Sequence, residues 1–232
     1  MENTSRSTNI GRLIIAPFFV SLLMTILRLS GELHNWSDTW FSRETGGVVP
    51  TYTNWVVGIT WLAIPIGVYM AYELAKSESL VPDPTKIIIL SIIGLVVLYG
   101  SLGILPWLRE KFSLEFHTRL LIVWSVAAAC GAIQAFGWKR LFKALLMYGF
   151  ASRAIIAIVM FLAMRGNWGT HYDYFDFPPE LKTDFWSEYF WLAFFPQLIF
   201  WVLFTVMAGS LSGGITLAII SAKRREAIRA HA

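Results

Sequence analysis

A single arginine interrupts a long apolar stretch in the second half of the chain. Arg153 lies about 13 residues after the basic turn at 139–143 and about 12 residues before Arg165, or roughly 20 and 18 Å along a helix. A guanidinium at that depth cannot easily reach either membrane surface, and inserting one there costs about 2.5–3.5 kcal/mol. We therefore expect Arg153 to face the interior of a helical bundle, where polar groups surround it.

Polar side chains at a similar depth are the expected partners of Arg153. Gln197 and Tyr99 each lie near the middle of their own apolar stretch. A cluster of Arg153, Gln197 and Tyr99 would suit an anion or a polar head group. A plainer interpretation is that Arg153 only pins helices together through backbone carbonyls, and the sequence leaves both interpretations open.

Two prolines near the middle of apolar stretches predict breaks in the helices that carry them. Pro65 and Pro196 each lack an N–H. Each should therefore free the carbonyl four residues earlier, that of Trp61 or Leu192. Freed carbonyls would add hydrogen-bond acceptors to the same polar cluster.

Three histidines fall on one predicted side of the membrane, each two positions from an acidic residue. The contexts are Glu32-Leu33-His34, Glu115-Phe116-His117 and His171-Tyr172-Asp173. Imidazole and carboxylate groups bind zinc and copper, so His34, His117 and His171 define an alternative, an outer-face metal site of a membrane enzyme. No recognised metal motif such as His-Glu-x-x-His occurs, and the main prediction is that the protein has no cofactor.

Two glycine-containing stretches are weaker candidates. Residues 40–47 (Trp-Phe-Ser-Arg-Glu-Thr-Gly-Gly) could form a tight turn whose N–H groups bind an anion, although a surface loop is the simpler interpretation. Gly209 and Gly213 have the spacing that lets helices approach closely. That pair indicates a helix contact, an oligomer seam or a flexible joint.

The composition is that of a membrane protein. Of 232 residues, 56% are hydrophobic and 15% charged, whereas a soluble domain is about 45–50% apolar and about 25% charged. The net charge of +4 does not indicate a nucleic-acid partner, because in membrane proteins the distribution of Lys and Arg matters more than their sum. The expected environment is the lipid bilayer.

Allowing about 20 apolar residues per crossing predicts an all-α bundle of six transmembrane helices, a single polytopic domain over 1–232. The predicted spans are 12–30, 54–76, 86–108, 117–137, 141–164 and 186–208. Residues after 209 either continue the last helix past a flexible joint or form a short seventh element.

The distribution of basic residues predicts the orientation. Eleven Lys and Arg residues fall on the side of the termini and seven on the other. Since cytoplasmic loops carry the excess of basic residues, both termini are predicted to be cytoplasmic in a plasma (inner) membrane.

Three classes of function remain. The first is a small transporter or channel-like protein for a polar or anionic solute, which uses Arg153 and Gln197. The second is an accessory subunit without a site of its own, in a homo-oligomer or with membrane partner subunits. The third is the membrane enzyme with histidines at the outer face. No phosphate-binding loop or pair of intramembrane aspartates is present, which disfavours nucleotide-driven pumps and aspartyl proteases.

Overall fold

A computed structural model describes residues 9–41, 56–78, 82–173 and 184–230, which form helices and no strands. The helices are α1 (Ile10–Leu33), α2 (Asp38–Phe41), α3 (Ala63–Ser77), α4 (Pro84–Phe112), α5 (Phe116–Ala132, then a 3-10 turn at Ile133–Phe136), α6 (Lys139–Gly166), α7 (Phe185–Glu188) and α8 (Val202–Ala230). Two π-helical segments, Tyr189–Phe194 and Pro196–Trp201, join α7 to α8. We call residues 185–230 the last helix. The predicted all-α membrane fold is confirmed.

Five helices among the described residues are long and apolar enough to cross a membrane, and they match five of the six predicted spans. The exception is the span predicted at 54–76. There α3 has only 15 residues, or about 22 Å of helix, which is shorter than the hydrocarbon core of about 30 Å. Residues 56–62 form a short 3-10 segment, bends and turns in place of the first part of that helix, and residues 54 and 55 lie outside the described residues.

The helices alternate in direction between two faces of the bundle. The hydroxyl of Ser21 in α1 lies 2.8 Å from that of Tyr148 in α6. Farther along the chain in both cases, Arg28 of α1 lies beside His171, which follows the end of α6, so α1 and α6 are parallel. Equivalent contacts bring the starts of α1, α4 and α6 to one face with the ends of α3, α5 and the last helix. We call it the basic face, since these ends carry Lys76, Lys86, Lys139, Arg140, Lys143 and Arg224. The described start of the first helix and the described end of the last helix thus share a face.

Glycines allow α3 to pack tightly against the last helix. A Cβ added to Gly67 would collide with the carbonyl oxygen of Gly209 and the hydroxyl of Ser212, and a Cβ on Gly213 would lie 3.1 Å from Ala71 Cβ in α3. The glycine pair 209/213 therefore marks a contact between helices of the same chain. The helix continues through residues 209–214, so neither the flexible joint nor the separate seventh element is present there.

A buried amide joins α4 to the end of α5. Gln134 Nε2 donates to the carbonyls of Leu90 (3.0 Å) and Cys130 (3.1 Å), and Ser91 donates to Gln134 Oε1 (2.9 Å). Toward the opposite face, no residue from 99 to 122 is buried. This hairpin is therefore fixed near the basic face, and its far part is only partly covered by the bundle, for example where His117 packs against Trp191.

The candidate loop at 40–47 is described only at Trp40 and Phe41, which belong to α2. Its remaining residues, 42–47, lie outside the described residues, and the anion-binding turn stays a prediction.

The contact between α3 and the last helix yields a test with a matched control. We expect Gly67→Ala to destabilise the protein by about 1–3 kcal/mol, because the added methyl group forces two backbones apart. Gly100→Ala in α4 is the control, since no atom lies within 4 Å of its Cβ position and alanine gains up to about 1 kcal/mol of helix propensity. Thermal unfolding of both variants in detergent measures the difference. Equal midpoints would contradict the packing described here.

Candidate functional site

A cavity of about 340 Å³ lies between α1, α6, the last helix and the turn segment 56–62. Arg153 occupies the middle of α6 and His171 follows its end, so the cavity runs from mid-depth toward the face opposite the basic face. Its polar lining groups are Thr25, Arg28, Thr60, Arg153, His171, Tyr172 and Gln197. Apolar side chains line the remaining wall.

Arg153 is buried at the deep end of the cavity with neutral hydrogen-bonding partners. It is 5% exposed. Nη1 donates to Gln197 Oε1 at 3.4 Å and Nη2 donates to Thr60 Oγ1 at 3.2 Å, while the guanidinium carbon lies 5.1 Å from the ring centroid of Trp201. These two hydrogen bonds use two of the five N–H donors of a guanidinium. No carboxylate among the described residues pairs with Arg153, so its charge is balanced only by dipoles and an aromatic ring.

The turn segment brings Thr60 to this depth. Trp61 Nε1 donates to the carbonyl of Val56 at 2.8 Å and closes the turn. Irregular backbone at membrane depth is tolerated where protein buries it or where it lines a cavity, and this segment lines the cavity. The prediction for Pro65 is wrong in detail. Pro65 lies in the first turn of α3, and the carbonyl of Trp61 accepts a bond from Ile64 N at 3.0 Å.

Gln197 reaches Arg153 from a widened part of the last helix. Pro196 begins the second π-helical segment, where each turn holds more residues than in an α-helix. Such segments occur often at functional sites, because they shift side chains out of regular helical register. Regular helix is interrupted around Pro196, as predicted, and the interruption lies at the cavity wall. The π-helical geometry begins earlier, at Tyr189, and the freed carbonyl of Leu192 stays a prediction.

A second charged cluster lies at the other end of the cavity, and no sequence pattern indicates that its members meet. Arg28 Nε donates to Glu32 Oε1 at 2.8 Å. His171 Nδ1 lies 2.6 Å from the same oxygen, and His171 N donates to Glu32 Oε2 at 2.8 Å. Glu32 is 1% exposed. These bonds attach the chain after α6 to the end of α1.

The geometry indicates a neutral imidazole at His171. Arg28 already supplies a counter-charge to Glu32, and a second cation there would be poorly hydrated. Burial accordingly lowers the pKa of His171 below its usual value, although the hydrogen bond to Glu32 opposes that shift. We assign the proton to Nδ1, which donates it to Glu32, and Nε2 is then the nitrogen with a lone pair. Burial also raises the pKa of Tyr172, which stays a neutral phenol.

Other predicted site residues lie elsewhere. Tyr99 is 58% exposed and packs edge-on against Phe204, so the structure does not bring it to Arg153. His34 Nδ1 bonds the carbonyl of Ser30 at 2.8 Å. His117 packs against Trp191, with ring centroids 4.4 Å apart.

The three histidines therefore have three separate sets of neighbours. Within the described residues no group of three or more His, Cys, Asp or Glu side chains is placed to hold a metal ion. A zinc or copper site at His34, His117 and His171 stays a prediction without geometric support.

No family model, curated protein or solved structure matches the chain. The function is therefore inferred from the geometry and charge of the site.

Two ion pairs, the buried Arg28–Glu32 pair of α1 and the exposed Lys76–Glu73 pair of α3, test how burial changes the contribution of an ion pair to stability. Glu32→Gln removes a carboxylate charge from beside Arg28 in a buried setting, and we expect a loss of about 3–5 kcal/mol in the free energy of unfolding. Glu73→Gln removes one partner of the exposed Lys76 pair, which should cost at most about 1 kcal/mol. Denaturant unfolding of both variants gives the comparison, and similar losses would contradict a structural role for the buried cluster.

The lowered pKa of His171 predicts the pH dependence of stability. In the unfolded chain this histidine takes up a proton near its ordinary pKa of 6.5, and in the folded protein only at lower pH. The unfolded state thus binds more protons below pH 6.5, so stability is present above that pH and is lost as pH falls. Thermal midpoints measured on both sides of pH 6.5 should show this decline in the wild type and a smaller one in His171→Asn. If the thermal midpoint of the variant falls as much as that of the wild type, groups other than His171 cause the loss of stability.

Proposed function

We propose that the protein is a membrane transporter or channel-like protein that binds a small anionic solute in this cavity. One observation carries the proposal: Arg153 presents a buried positive charge to the cavity, and its described hydrogen-bonding partners are neutral. The proposal narrows the polar or anionic solute expected from the sequence to an anion, and it assigns the site to Arg153, Gln197 and Thr60 in place of Tyr99.

The charges around the cavity support an anion over a cation or a neutral solute. Glu32 compensates Arg28 at one end, while Arg153 at the other end has no described carboxylate. A desolvated cation gains most from a partner of opposite charge. Guanidinium groups bind carboxylate, phosphate and sulfate through two parallel N–H bonds, so these oxyanions fit the unused donors.

The architecture around the cavity supports movement of the solute. Transporters commonly place their site near mid-depth, where interrupted helices meet. Here α3 begins at the depth of the site, with the positive end of its dipole toward the cavity, and the last helix is π-helical beside it. At about 340 Å³, the cavity suits a small solute.

The orientation belongs to the same proposal. We place the basic face in the cytoplasm of a plasma membrane, supported by the eleven basic residues of that side against seven. The cavity then extends from mid-depth toward the outside.

A second candidate function is that of an accessory subunit, which would assemble either with copies of itself or with other membrane subunits. The α4–α5 hairpin favours it, because no residue from 99 to 122 is buried. Lipid alone could cover this surface, so the transporter ranks first.

Binding measurements on charge variants test the proposal. Sulfate, methanesulfonate, trifluoroacetate, phosphate and short dicarboxylates are titrated into detergent-purified protein by calorimetry. We expect at least one to bind, and Arg153→Gln to weaken that binding by about 10- to 100-fold, because a charge-assisted hydrogen bond is worth about 1.5–3 kcal/mol. Counterflow of the same anion in proteoliposomes should fall in parallel.

Arg165→Gln is the matched control, since this arginine is exposed on the same helix and contacts Phe185, outside the cavity. Its affinity should equal that of the wild type. A folded Arg153→Gln protein that binds as the wild type does, or a wild type that binds no anion, would refute the proposal. Recovery of the protein only together with a partner chain would favour the accessory subunit.

A further inference from the structure

We propose that anion binding in the cavity is coupled to the uptake of one proton, and that His171 accepts this proton at Nε2. The inference rests on the proposed function and extends it, since it adds the proton as a second ligand. For a monoanion, the pair that binds would carry no net charge.

The position of His171 is the first argument. Its side chain lines the same cavity as Arg153 and is 22% exposed. Glu32 fixes the ring through its contact with Nδ1 and also accepts a hydrogen bond from the His171 backbone N–H. A ring held in this way offers Nε2 as its site for a solvent proton. The imidazolium that results would still donate Nδ1–H to Glu32.

The groups that face His171 give the second argument. From α1 these are Glu32 and Arg28, with Arg28 Nε 3.3 Å from His171 Nδ1. Its own loop contributes the phenol of Tyr172 and the carboxylate of Asp173, which is bound by Gly169 N and Thr170 N. From α6, Arg153 lines the same cavity.

Linkage between the two ligands follows from these charges. Without a bound anion, Arg28 opposes a further positive charge on His171, and Arg153 adds positive charge to the lining of the same cavity. A bound anion between them offsets that repulsion and favours the imidazolium. By reciprocity, the protonated histidine increases the affinity for the anion by the same factor. Affinity should therefore be higher at acidic pH and fall as pH rises.

The experiment uses anions whose own charge is constant in the range studied. Sulfate, methanesulfonate and trifluoroacetate are titrated into the full chain between about pH 5 and 8, in buffers of different ionisation enthalpy. We expect the affinity of the anion that binds to fall by up to about tenfold per pH unit. The buffer dependence of the heat should show uptake of up to about one proton per anion in the wild type.

Two histidine variants assign the proton. In His171→Asn the side-chain amide can still donate to Glu32 but cannot take up a proton, so anion binding should persist with no pH dependence. His34→Gln is the control, because His34 lies outside the cavity lining, and it should keep the wild-type dependence.

The outcomes separate the two proposals. Binding with no proton uptake and no pH dependence in the wild type overturns the coupling and leaves the proposed function in place. If the anion affinity of His171→Asn still depends on pH as in the wild type, the assignment of the proton to His171 is overturned. Absence of anion binding at every pH overturns both proposals. Proton uptake by the wild type decides the coupling even if His171→Asn does not fold.

Discussion

The burial of one guanidinium at membrane mid-depth is the constraint on which the bundle depends. Arg153 must find hydrogen-bond acceptors there, since hydrocarbon supplies none. A regular helix in the place of residues 56–62 would offer carbonyls that are already bonded within it. The turn offers the hydroxyl of Thr60, and the widened last helix offers the amide of Gln197. The shortened α3 and the π-helical segments both accommodate the same buried charge.

The opposite end of the cavity is organised by a carboxylate. Glu32 holds a side chain of its own helix and both the ring and the backbone of His171. The two ends of the cavity therefore differ in kind. One is a balanced set of charges that fixes the chain in place, and the other is a cation surrounded by dipoles and an aromatic ring. Among the described residues that line the cavity, this asymmetry leaves an excess of positive charge.

Hydropathy was sufficient to locate five spans, and depth along the helices was sufficient to pair Arg153 with Gln197. The start of α3 could not be predicted in this way, because residues 56–62 are largely apolar and hydropathy does not distinguish a buried turn from a helix. Depth along a helix does not give the direction in which a side chain points. For this reason Tyr99 was expected in the cluster, although its side chain lies outside the cavity. The contact of His171 with Glu32 joins positions 139 residues apart, a separation that no local pattern encodes.

The last helix connects the wall of the cavity to the basic face. It continues for 35 residues from Pro196 to Ala230, about 51 Å at 1.5 Å per residue, which exceeds the thickness of the hydrocarbon core. A rotation of about 5° at the π-helical segment would move the far end by about 4 Å. Because glycines hold α3 close against this helix, α3 would be carried with it, and small changes around Gln197 would be amplified at the basic face.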